Sequence, residues 1–155
     1  MPSFSVDPEL GPLFSVPWRC LAEQLTLLHK TKISAIEPDE LIGRRWEKLG
    51  FEKLTKNVRK LKDMFNRFFW MVTMEILCSS NTIAACKLIK KLIDIAHYCK
   101  SYLGNYETPF HISAILISEP ITLLKSSIKK VNSSTWHRDV WSGLQKTYNP
   151  DGRYR

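Results

Sequence analysis

The sequence predicts an all-α fold built round one long amphipathic helix. Three observations carry this: six glycines in 155 residues with almost no strand-like alternation, apolar residues at steps of three and four between Lys53 and Ser80, and further segments of helical period set off by proline and glycine. At 44% hydrophobic the chain can bury one core, and a single domain over residues 18–155 is the simplest division.

Residues 1–17 carry Pro2, Pro8, Pro12 and Pro17, which predict an extended, flexible leader. Its two acids and lack of a basic start exclude a secretory signal. A first helix is predicted from Trp18 to about His29, with Leu21, Leu25 and Leu28 on one face. Pro38 suits a first helical position, with Asp39 and Glu40 in the first turn, and Gly50 ends that element. In the long helix Leu54, Val58, Leu61, Phe65, Phe68, Val72 and Ile76 share a face. Phe69, Trp70, Met71 and Met74 widen it until the segment is apolar nearly all round, which predicts burial among other helices. Thr73, Glu75 and the basic residues before Phe68 leave too short an apolar run for a membrane span.

Asn81 or Thr82 can cap the next helix, whose predicted buried stripe is Ile83, Cys86, Ile89, Ile93 and Ala96, with Gly104 as its stop. Thr108-Pro109 opens a short apolar helix that ends at Glu119-Pro120. A helix or connection follows, and Ser133 or Ser134 can cap a last helix on which Trp136, Val140 and Leu144 share a face. Asn149-Pro150-Asp151-Gly152 reads as a turn.

The net charge of +8 admits an acidic partner, either nucleic acid, an anionic membrane or an acidic protein; its plainer meaning is a solvated basic surface. The basic residues form no long run, which argues against a specific nucleic-acid site. Cys20, Cys78, Cys86 and Cys99 form no CxxC pair and predict buried, reduced thiols, hence a cytoplasmic protein. No phosphate loop or dinucleotide fingerprint is present, and the four histidines are isolated in sequence. His97 and Cys99, two apart on a helix, point to different sides. The expectation is a protein without cofactor, metal or bond-making chemistry.

Several collinear segments resemble the catalytic domain of Ras-family guanine-nucleotide exchange factors, the RasGEF domain. Leu21–Leu28 (LAEQLTLL) is similar to that family's ARQLTLL helix, and Ile36–Gly43 with Trp46 to its I-x-P-x-E-L-x-G-x-x-W segment. Phe65-Asn66-Arg67, Trp70, Val72 and Glu75-Ile76-Leu77 resemble F-N-x-x-x-x-W-V-x-x-E-I-L. Leu92–Ala96, Cys99 and Asn105-Tyr106 follow the next motif, and Leu124-Lys125 and Gly152-Arg153-Tyr154 continue the order. The resemblance spans roughly residues 19–155 and implies a helical bundle that binds a Ras, Rap or Ral class GTPase. Such a factor holds switch II against its core and uses a helical hairpin to displace switch I, so that GDP leaves. By the same resemblance the GTPase-binding residues are Asn66, Arg67, Gln24 and Asn105, with Arg138, Asp139 and Ser142 on the wedge helix at about Thr135–Tyr148.

The wedge departs from the family pattern. Ser142 stands where an acid is expected, Arg138 where an apolar residue is expected, and Glu107 replaces an asparagine. The last residues fall where the hairpin's second helix would begin, so the hairpin is expected to be incomplete. Two further readings stay open: a non-catalytic GTPase- or scaffold-binding module on the same fold, and a basic helical domain binding nucleic acid or the inner face of an anionic membrane.

Overall fold

A computed structural model describes residues 15–148, and all regular structure among them is helical. The order is α1 (Trp18–Ser34), a 3-10 segment (Pro38–Glu47), α2 (Lys56–Leu77), α3 (Thr82–Tyr102), α4 (Glu107–Leu116), the single turn α5 (Glu119–Thr122), α6 (Lys125–Asn132) and α7 (Thr135–Tyr148). The proline-rich leader up to residue 14, the turn at 149–152 and the Gly152-Arg153-Tyr154 match lie outside the described residues.

The organising helix is α3, not α2. Ten of its residues are buried, among them Leu88, Ile89, Leu92, Ile93, Ile95 and Ala96, and it packs against α1, α2, α4, α6 and α7. Its start is fixed by Asn81, whose Oδ1 accepts from the N–H groups of Ile83 and Ala84, both at 2.9 Å. Gly104, at φ +61°, takes the left-handed turn after the last helical residues. Ile83 is 56% exposed rather than part of the stripe, because Ala84 and Ala85, its neighbours in the same turn, take the inward side at 3% exposure each.

In α2 only Val72, Thr73 and Ile76 are buried. Trp70, Met71 and Met74 are 61%, 47% and 51% exposed, so the expected burial on all sides does not occur. Its inner face packs on α1, α3, α4 and the 3-10 segment, and the remainder of its apolar band is open.

Residues 38–47 are not an α-helix. Ile42 is extended, and Gly43 and Arg44 have φ of +63° and +52°, which breaks the segment. This bend carries Glu40 inward to the start of α2. Its Oε2 accepts from the N–H groups of Asn57 (2.8 Å) and Val58 (3.1 Å), and its Oε1 accepts from the Asn57 side chain (2.7 Å). Glu40 thus caps a helix whose own preceding residue, Thr55, does not. Burial raises the Glu40 pKa, but these bonds from Val58 and Asn57, with one from Glu37, outweigh it and hold the carboxyl below its ordinary value.

Elsewhere α1 buries Leu21, Ala22 and His29, while Leu28 is exposed. Trp141 and Leu144 anchor α7, and Trp136 lies outside against His97 and Asp94. Cys86 and Cys99 are buried as expected, but Cys20 and Cys78 are exposed. Among the described residues, no helix is long and apolar enough to cross a membrane.

Candidate functional site

The residues singled out by resemblance fall in three places. Gln24 and Arg67 meet in a groove of about 780 Å³ between α1 and α2. Its floor is Leu21, Leu25 and Leu28 from α1 with Met64, Phe68 and Met71 from α2; Lys32, Lys60 and Arg67 face a single acid, Asp63, on its rim. Asn66 is exposed on the same helix but does not line the groove. Helical period explains this arrangement: 60, 63, 64, 67, 68 and 71 share one side of α2, and 66 points off it. The same side leads on to the exposed Met74, and Trp70 stands beside it.

Arg138, Asp139 and Ser142 lie apart, on α7, which packs against α3, α4 and α6. Arg138 and Asp139 are exposed and Ser142 half-buried. Arg138 Nε donates to Asp139 Oδ1 at 3.4 Å, so the helix's one carboxylate is already engaged by its neighbour.

Asn105 joins neither group. It is 8% exposed and uses its whole amide inside the fold. Its Nδ2 donates to Thr26 Oγ1 (2.9 Å) and Thr108 Oγ1 (2.8 Å), and its Oδ1 accepts from the N–H groups of Glu107 (3.0 Å) and Thr108 (3.1 Å). It therefore caps α4 and ties it to α1.

This polar knot continues into residues the sequence did not single out. His29 Nδ1 and Thr108 Oγ1 share a hydrogen bond of 3.0 Å, and the His29 and His111 rings lie 5.0 Å apart, edge to face. His111 stacks on Phe65 of α2 at 4.2 Å and stays 5% exposed. Burial, with a smaller contribution from His29, pushes the His111 pKa down to about 4, and burial lowers that of His29. Both imidazoles are therefore neutral near neutral pH. The knot joins α4 to α1 and α2, the two helices that wall the groove. Its members come from residues 26–29 and 105–111, about 80 positions apart, and no local pattern links them.

Among the described residues no three His, Cys, Asp or Glu side chains gather closely enough to hold a metal ion. What the groove offers is an apolar floor with cations along its edge, the form of a protein-docking surface.

Comparison with known proteins gives the chain's family. Mouse Ras-specific guanine nucleotide-releasing factor 2 is 30% identical over 135 residues, covering 87% of this chain and 11% of the mouse protein. The Rap guanine nucleotide exchange factor of Caenorhabditis elegans is 34% identical over 121 residues, 78% of this chain and 8% of that protein. Ras guanine nucleotide exchange factor A of Dictyostelium discoideum is 29% identical over 136 residues, 87% of this chain and 22% of its own length. The chain thus corresponds to a small part of each of these relatives. The RasGEF domain profile matches residues 20–155, nearly the whole chain, and the fold is all-helical as that resemblance implied; the protein belongs to the RasGEF domain family.

Proposed function

We propose that this domain binds a Ras-like small GTPase and stimulates release of its GDP. The observation that carries the proposal is the α1–α2 groove, in which an apolar floor and the side chains of Gln24 and Arg67 lie together on the surface. Asn66, exposed beside it, supplies a further polar contact, and Arg138, Asp139 and Ser142 form a second contact on α7. Asn105 acts indirectly, by holding α4 on α1. The work of exchange is negative coupling: domain and nucleotide each weaken the other's hold on the GTPase, so binding of the domain speeds GDP loss without any bond being made in the domain. The relatives' own names divide between Ras and Rap, so the GTPase class is a question for a panel.

The test is loss of a fluorescent GDP analogue from Ras, Rap and Ral proteins with the domain in excess. Acceleration on one member, reduced by Arg67→Glu and by Gln24→Ala, is the expected result. No acceleration on any of them by a folded domain would refute exchange. A second reading, a GTPase-binding module that leaves nucleotide in place, is favoured by the Arg138–Asp139 pair, since a carboxylate held by its neighbour is poorly placed to act on a partner.

A further inference from the structure

A second surface, made by α3 and α6, has a different chemistry. The Ser127 hydroxyl reaches the carbonyl of Thr82 at 3.4 Å, setting α6 beside the first turn of α3. Three turns along α3, Asp94 receives Trp136 Nε1 at 3.3 Å and pairs with His137 at 3.4 Å, setting the start of α7 there. The connecting α6 therefore runs alongside the first half of α3. Ser127 and Val131 face inward, and Lys125, Lys129 and Lys130 are left outside. On α3 itself Ile83 and Lys87 are exposed, Lys87 on a cleft shared with Trp18, Asp94 and His137, and Leu123, just before α6, is 65% exposed. The acids nearby are Asp94, already engaged by Trp136 and His137, and Glu119, one turn before Leu123. None of these residues lines the α1–α2 groove.

We infer that the α3–α6 face is a docking surface for an anionic lipid bilayer, with Lys87, Lys125, Lys129 and Lys130 meeting headgroups and Ile83 and Leu123 entering the interface. Charge alone would suit any polyanion. The two large apolar side chains set among the lysines favour a bilayer, whose interface accepts apolar groups as well as cations. Nucleic-acid backbones offer the cations a partner but leave the leucine and isoleucine in water.

The test is flotation of the whole chain with phosphatidylcholine vesicles, with and without phosphatidylserine; it needs no GTPase and stands apart from the exchange proposal. Binding is expected only with phosphatidylserine, and to weaken with salt. Each lysine near a charged surface is worth roughly fivefold, so K125Q/K129Q/K130Q should weaken binding on the order of a hundredfold. I83S/L123S should weaken the part that survives in high salt. K53Q/K56Q/K62Q, exposed on another face, should leave binding within about threefold, since lysines off the surface lie beyond the screening length. Thermal melts of all variants establish that they fold. Equal binding to neutral vesicles, an unaffected α6 variant, or a control variant that loses as much would overturn the assignment. So would displacement of vesicles by short duplex DNA together with an inert I83S/L123S, which would make the surface a nucleic-acid one.

Discussion

Replacing His111 with phenylalanine should remove a defined part of the domain's acid sensitivity. His111 is buried in α4, stacked on Phe65, 5.0 Å from the His29 ring, with Glu107 Oε2 3.8 Å from its Nε2 and no hydrogen bond at Nδ1. Its pKa in the fold is about 4 against 6.5 when unfolded. The folded value lies below the unfolded one, so the unfolded chain takes up the proton first. His111 therefore costs nothing above about pH 6.5 and destabilises progressively as pH falls toward about 4. Integrating the linkage gives a loss of about 2 kcal/mol between about pH 7 and pH 5 from this residue. His29 adds to it with the same sign. Phenylalanine keeps the stack on Phe65 and cannot titrate. Urea unfolding of wild type and His111→Phe at both pH values isolates the effect, because the carboxylates are common to the two proteins and cancel in the difference. The expected result is that the variant loses about 2 kcal/mol less than wild type on acidification. Parallel losses would show that His111 accepts its proton in the fold and would refute its neutral, buried state.

Asn105→Ala removes a cap and two inter-residue bonds and leaves Thr26 and Thr108 short of a donor; a loss of about 3 kcal/mol in urea unfolding is expected. Asn81→Ala deletes the α3 cap and should cost about 1 kcal/mol, read as a lower melting temperature. Trp70→Ala, at an exposed apolar side chain, should change stability by less than about 0.5 kcal/mol; a loss of several kcal/mol would mean that Trp70 is packed in solution.

Features that depend on a few neighbouring residues were legible in the sequence. Asn81 caps α3 because its side chain needs only the N–H groups two and three residues on, and Gly104 stops the helix because only the local φ is at stake. Features set by distant neighbours were not. Hydrophobic periodicity reports which residues avoid water, not which neighbour covers them, so Trp70, Met71 and Met74 suggested a buried helix where the fold leaves a surface. Glu40 lay in a predicted first turn, yet it caps a different helix 17 residues away, because Gly43 and Arg44 turn the chain back. Of the candidate site, Gln24 and Arg67 meet through packing of α1 on α2, while Asn105 shared their motif resemblance and went to the interior. A motif match marks both kinds of residue alike; burial and hydrogen-bond partners separate them.

Exchange requires that the domain favour the GTPase without nucleotide, and competition measures this directly. The domain would be bound to a nucleotide-free GTPase chosen from the Ras, Rap and Ral panel, and GDP with magnesium titrated in. Negative coupling predicts that GDP displaces the domain, and that the domain lowers GDP affinity by the same factor. Arg67→Glu should weaken the complex with nucleotide-free GTPase. A complex that forms equally well with and without GDP would contradict exchange and leave a binder that does not open the nucleotide site.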